Sequence, residues 1–446
     1  MKNVKAFLVI CSCLFFSLNG YSQAKQWVDF FSGYLTNNEQ VEAPKGKTLK
    51  VKNLETSRQA MWKAWVVANE SFEEDKLIPL EALSEGKHAT WHLPENLEPS
   101  AYLNYYFGFK GEVPSEGYPF YLYLHGSGPR ANEWNTGLKL GRLFEDSPSV
   151  YFIPQIPNVG EYYRWYQRSK QYAWEKLIRQ MMLRSDINPN RFYLFGISEG
   201  GYGSQRLASF YADYLAAAGP MAGGEPLKNA PVENCRHIGF SLRTGSKDYG
   251  FYRNILTGYT YEAFDSLSRV YPGEFKNKIE LIEGYGHSID YRPTPVWLNQ
   301  FVRNPWPKQV TWEDYEMDGW HRKGFYNLVV LERPDENLRT RYDMDINDNR
   351  IELSVRDVHY TTTQIDPQWG IEMKFERTYT PSKKGRVLIY LNEHLVDLNK
   401  PVVVVLNGQE VYKGKVKCNE VHMARSLATF YDSQRIYPAA IEVEIQ

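Results

Sequence analysis

FYLFGISEGGYG occupies residues 192–203. An apolar run reaches Gly196, a single serine stands at 198, and Gly200 and Gly201 follow. A strand that ends in G-x-S-x-G and runs directly into a helix makes a sharp, strained turn. The glycines lack a Cβ, so strand and helix can approach each other, and the serine hydroxyl is lifted to the positive end of the helix. The spacing therefore makes Ser198 a candidate nucleophile. Serine alone is a weak one. It needs a base to take its proton, normally a histidine whose tautomer is held by a carboxylate.

Both partners are found at the ends of later strands. RTGSKD (243–248) places Asp248 just past one apolar run, and EGYGHS (283–288) places His287 just past the next. Asp290, beside His287 in sequence, is the other candidate acid. A carbonyl attacked by Ser198 develops negative charge and needs fixed donors. The backbone N–H of Glu199 is one. The loop HGSG (125–128) offers the second, from Ser127 or from Gly126, with His125 and Gly128 shaping the loop. The Glu199 side chain has no catalytic part in this reading.

Working outward, the chain alternates strand, turn and helix from about residue 101. FYLYLHGSG (120–128), SVYFIPQIP (149–157), YLAAAGPMAGG (214–224), HIGFSLRTGSKD (237–248) and KIELIEGYGHS (278–288) read as strands entering glycine turns, with an amphipathic helix over 166–183. This alternation predicts a doubly wound α/β sheet, mostly parallel, with helices on both faces and ligands at the carboxyl ends of the strands. PWPKQVTW (305–312) reads as a linker. GFYNLVVLE, NRIELSVRD, GRVLIYLN, KPVVVVLNGQEVYKGKV and AAIEVEIQ then predict a C-terminal antiparallel β-sandwich over 310–446, with Asn407-Gly408 as a hairpin turn. DMDINDN (343–349) lacks the glycine and the closing glutamate of a calcium loop and reads as a polar turn. Residues 23–100 form a mixed section. It contains one helix beginning near a capping Asn53, with Met61, Trp62, Trp65 and Val66 at helical spacing.

LHGSG, INPNRFYLFGISEGG, GSKD and GYGH, in that order, resemble the α/β-hydrolase superfamily and in particular its secreted serine esterases. The resemblance covers roughly residues 101–304. It implies an α/β-hydrolase catalytic domain, a triad in the chain order Ser198, Asp248, His287, and neither metal nor cofactor. PVVVVLNGQEVYKGKV is similar to the β-domain appended to bacterial esterases of the feruloyl-esterase and polyhydroxybutyrate-depolymerase type.

Composition narrows the partners. The formal net charge of −1 over 446 residues carries no steering field toward nucleic acid. Residues 1–22 read as a signal peptide: Lys2 and Lys5 precede the apolar run AFLVICSCLFFSL, which is too short for a membrane span, and Gly20 and Ser22 suit a cleavage site. The periplasm or cell surface is the expected location. Cys235 and Cys418 are expected as buried free thiols. The 33 Tyr and 12 Trp suit a surface that holds sugars. Arg130, Arg164, Arg243, Arg253 and Arg292 flank the catalytic loops, and guanidinium forks match carboxylates. With Trp165, Tyr162 and Tyr163 as a stacking wall, they point to an ester-bearing carbohydrate. Methyl esters of uronate, as in pectin methylesterases on this fold, lead; acetyl or feruloyl esters follow. A serine peptidase of the same fold and a non-catalytic carbohydrate-binding protein are the competing readings.

Overall fold

The computed structural model describes residues 25–36 and 41–446. The expected signal peptide, with Cys11 and Cys13, lies outside them. No helix among the described residues is long and apolar enough to cross a membrane.

Eight strands form the central sheet: β1 (His88–His92), β2 (Tyr102–Lys110), β3 (Tyr118–Leu124), β4 (Ser149–Pro154), β5 (Ile187–Ile197), β6 (Ala217–Met221), β7 (Gly239–Gly245) and β8 (Asn277–Ile282). Their spatial order is β1-β2-β4-β3-β5-β6-β7-β8. The β1–β2 and β2–β4 pairs are antiparallel, and every pair from β4 onward is parallel. Strands buried on both faces need unbroken apolar runs, and every residue of β3 and β4 is buried. Side chains alternate between faces. Phe120, Leu122 and Leu124 join one core, and Tyr121 and Tyr123 join the other.

Helices cover both faces. They are α1 (25–36), α2 (Leu54–Ser71), α3 (Arg130–Leu143), α4 (Arg168–Met182), α5 (Glu199–Phe210), α6 (Arg253–Val270) and α7 (Pro293–Leu298). Trp174 and Leu177 of α4 and Leu207 of α5 fill the first core; Leu138 of α3 and Leu298 of α7 fill the second. The mostly parallel eight-stranded sheet, with G-x-S-x-G at the β5–α5 corner, is the α/β-hydrolase fold.

Strands β9 (Gln309–Asp314), β10 (Gly324–Phe325), β11 (Leu328–Glu332), β12 (Arg339–Asn347), β13 (Arg350–Ile365), β14 (Glu372–Pro381), β15 (Arg386–Leu391), β16 (Val402–Leu406), β17 (Gln409–Gly414) and β18 (Ala439–Glu444) form two further sheets. Three expectations need correction here. The sheets are not wholly antiparallel, because β13 and β16 pair in parallel. Trp312 is no linker residue: it lies in β9, buried and stacked on Tyr342. Helix α8 (Glu420–Phe430), capped by the Asn419 side chain, interrupts the β pattern. Asp343, in the polar stretch, pairs with Arg341 and Arg356.

The N-terminal section is woven into both parts. It supplies β1 to the central sheet, and Trp65 of α2 stacks on Tyr431 beyond α8. Arg58 holds Glu393 in the C-terminal part. Asn53 makes no side-chain cap, because a 3-10 turn over Val51–Asn53 already feeds α2. Cys235 and Cys418 are buried free thiols.

Candidate active site

The site is built on the β5–α5 corner. Ser198 has φ 57° and ψ −113°, a region that non-glycine residues occupy at a cost of order 1–3 kcal/mol. Two glycines make the corner possible. A Cβ on Gly196 would lie 2.2 Å from the Gly200 carbonyl oxygen, and one on Gly200 would lie 2.0 Å from that of Leu124. Those are backbone collisions, so no side-chain adjustment relieves them.

The loops after β7 and β8 close on this serine. Ser198 Oγ is 3.0 Å from His287 Nε2, and His287 Nδ1 is 2.8 Å from Asp248 Oδ2. Asp248 is 3% exposed and shares its other oxygen with Arg253, whose Nη1 donates to Oδ1 at 2.9 Å. The Lys247 N–H donates to the Tyr285 carbonyl, tying the two loops together. Asp290, the other acid considered, instead pairs with Arg292 at the surface.

The donor loop is held from behind. A Cβ on Gly126 would lie 3.3 Å from Ser198 Cβ, which sets how closely the loop approaches the nucleophile. His125 is buried and its Nε2 accepts the Ile156 N–H, so Nδ1 carries the proton and donates to the Gly126 carbonyl. Burial pushes this imidazole down to about 4, and it stays neutral. Tyr163 Oη also donates to the Gly126 carbonyl, at 3.0 Å, and accepts the Gly128 N–H. With the Gly126 carbonyl held this way, the Ser127 N–H lies in a fixed loop. Glu199 opens α5, and N–H groups in a first helical turn have no partner within the helix.

A cleft of about 550 Å³ opens in front of Ser198. Of the five flanking arginines, only Arg164 and Arg253 line it. Arg243 is buried under the histidine loop, pairing with Glu280 and donating to the Asp290 carbonyl. Arg292 spends its fork on Asp290, and Arg130 is exposed at the start of α3 outside the cleft. Trp165 is not a stacking surface: it is fully buried and its Nε1 donates to the His125 carbonyl. Tyr163 is likewise spent on the loop. Arg243, Arg292, Trp165 and Tyr163 are near the site in sequence, but nearer partners take up their polar groups.

Several cleft residues were not anticipated. Arg206 lines it and holds Glu225 through Nε and Nη2, at 2.6 and 3.0 Å. Glu199, Tyr202 and Arg206 recur at helical spacing on α5, a signal legible in the sequence. The Glu199 carboxyl faces Arg164 at 3.5 Å, and its Oε1 is buried with no hydrogen bond. Burial pushes this carboxyl up to about 7, against the pull of Arg164. Trp369 and Glu372, from the C-terminal part, complete one wall.

No family model and no curated protein sequence matches the chain. Among solved structures it is similar to a thermostable esterase, at 21% identity over 48% of this chain and 62% of that one, TM-score 0.38. It covers less than two thirds of that protein's length. It is also similar to the BES protein from Bacillus cereus, at 15% identity over 51% and 100%, TM-score 0.37. A third similarity is to a ferulic acid esterase from the anaerobic fungus Anaeromyces mucronatus, at 14% identity over 51% and 96%, TM-score 0.36.

Proposed function

We propose that this chain is a serine carboxylic-ester hydrolase that removes ester groups from a polysaccharide outside the inner membrane. The observation that carries the reading is the continuous relay from Ser198 Oγ through His287 to the buried Asp248. His287 Nε2 takes the Ser198 proton as Oγ attacks the ester carbonyl. Asp248 holds the ring with Nδ1 protonated and stabilises the imidazolium that forms. The N–H groups of Glu199 and of Ser127 or Gly126 receive the developing oxyanion. His287 then returns the proton to the departing alcohol. Water, deprotonated by the same imidazole, releases the acid and restores Ser198.

Methyl esters of uronate remain the leading substrate, with acetyl and feruloyl esters next. Arg164, half exposed in the cleft, supports a neighbouring free carboxylate through the part of its guanidinium not spent on the Tyr163 carbonyl and Glu199. The other cleft arginines are committed to Glu225 and Asp248, so the support narrows from a cluster to one residue.

The test is a panel of methyl-esterified polygalacturonan, acetylated xylan and feruloylated arabinoxylan, scored for methanol, acetate and ferulate. Ser198→Ala abolishes release, aryl-ester turnover and fluorophosphonate labelling while thermal unfolding is preserved. Hydrolysis at the parent rate in that variant rejects the assignment.

A further inference from the structure

The C-terminal part reaches into the cleft by one arm. Strand β13 runs 16 residues, but its register with β12 ends at Val358. Residues 359–365 pair only with β14, so the hairpin projects past its own sheet. A lone two-stranded ribbon is marginal in water. This one is pinned to the catalytic domain at its tip. Tyr252 Oη donates to Asp366 Oδ1 at 2.7 Å, and Lys228 Nζ holds both oxygens of Glu372 at 2.9 Å. Asp366 also shapes the turn, accepting the Trp369 N–H through its side chain and the Gly370 N–H through its carbonyl.

What the tip presents is unusual for so well anchored a turn. Trp369 is 50% exposed and Phe251 40%, with ring centroids 4.5 Å apart. Phe251 and Tyr252 follow closely on Asp248, and both sit at positive φ, 52° and 57°. Strain at two consecutive bulky residues persists where the surroundings impose it, and it concentrates at ligand sites. Here it turns Phe251 toward the hairpin, where the two rings flank the cleft. Polar groups of Asn229 and Glu372 line the same cleft.

We infer that the β13–β14 tip is a substrate-binding element of the active site, in which the Trp369 ring stacks on a pyranose of the polymer that bears the ester. A sugar ring has an apolar C–H face and polar edges, which matches a half-exposed indole with the Asn229 amide and the Lys228–Glu372 pair beside it. An arm from a separate part of the chain gives the enzyme a means of preferring polymeric over small esters. The inference rests on the proposed ester-hydrolase reading.

The experiment compares the parent with Trp369→Ala and Trp369→Phe. One arm takes the ratio of kcat/KM on methyl-esterified polygalacturonan to that on p-nitrophenyl acetate. It falls roughly tenfold in Trp369→Ala, through KM, and is largely restored in Trp369→Phe. The second arm measures binding of oligogalacturonide to Ser198→Ala protein by calorimetry, where adding Trp369→Ala weakens Kd by a similar factor. An unchanged ratio, or equal affinities, overturns the inference. Parent protein that cleaves p-nitrophenyl acetate but neither binds the oligosaccharide nor de-esterifies the polymer overturns it too, and leaves the esterase reading standing. Loss on methyl ferulate in place of the polymer reassigns the ring to the acyl group and likewise overturns it. Failure to cleave any ester rejects the esterase reading itself.

Discussion

Arg253 Nη1 donates to Asp248 Oδ1 at 2.9 Å, while the opposite oxygen of that carboxylate faces the His287 ring. The guanidinium therefore fixes the rotation of the group that orients the imidazole. It also lines the cleft, so one side chain joins relay and substrate space. Arg253→Ala frees the carboxylate to turn. The expected result is a kcat on p-nitrophenyl acetate lower by about tenfold, roughly 1.4 kcal/mol in the barrier and close to the low end of what a hydrogen bond to a charged group is worth. A parent-like kcat shows that the Asp248 backbone suffices. Arg253→Lys, which keeps the charge but not the planar guanidinium that reaches Oδ1, recovers only part of the rate.

Tyr163 bridges the Gly126 carbonyl and the Gly128 N–H behind the donor loop. Tyr163→Phe keeps the packing and removes the bridge. The loss of its two hydrogen bonds costs on the order of 1–2 kcal/mol of stability. The rate falls further in proportion, by roughly tenfold and below the 10²–10³ of a deleted oxyanion donor. Steady-state kinetics beside a denaturation curve separate the two effects. A stability loss with no change in kcat removes Tyr163 from any role in loop positioning.

The Glu199 carboxyl is pushed up to about 7 by burial, against Arg164. A folded state that holds this proton between the ordinary carboxylate range and pH 7 gains stability there. That gain is complete below pH ~4.5 and is lost as pH rises through about 7. Glu199→Gln mimics the protonated form and abolishes the loss. The variant and parent should have similar Tm at pH 5, and the variant should lead by on the order of 2 °C at pH 8. Parallel Tm profiles across that range contradict the shift.

Asp213 and Asp432 are buried among Arg322, Arg303 and Arg435 where the α/β part meets the C-terminal part. Burial alone raises the Asp213 carboxyl. Arg322 and Arg435 outweigh it and hold the group below its ordinary 3.8. Its contribution is present above pH 3.8 and disappears as pH falls through the lower folded value. Asp213→Ala leaves two buried cations short of a partner and is expected to cost about 3–5 kcal/mol by urea denaturation. A loss below about 1 kcal/mol would mean that the network relaxes around water instead.

The α/β half was largely legible because its signals are local. Strand ends and glycine turns name Ser198, Asp248 and His287 as neighbours in a parallel sheet, since such sheets bring the carboxyl ends of their strands together. Asp290 illustrates the limit: one turn from His287 in sequence, it is taken by Arg292. The arginines show the same limit more broadly. Five stood near catalytic loops, but proximity along the chain says nothing about which carboxylate lies nearest in space.

The amino-acid sequence by itself determined the corner that raises Ser198, the order of the strands that carry its partners, and the change to β structure after residue 304. Each follows from short-range sterics or from side-chain periodicity over a few residues. Only the tertiary structure decided that Trp165 and Arg243 are scaffolding, that Arg206 and Glu199 face the cleft, and that Trp369 arrives there from the far end of the chain. Those outcomes depend on contacts beyond the reach of local periodicity, from 19 residues for Arg206 with Glu225 and 40 for Trp165 with His125 to 144 for Lys228 with Glu372. Loop residues acquire their partners only when the packed sheets bring them together.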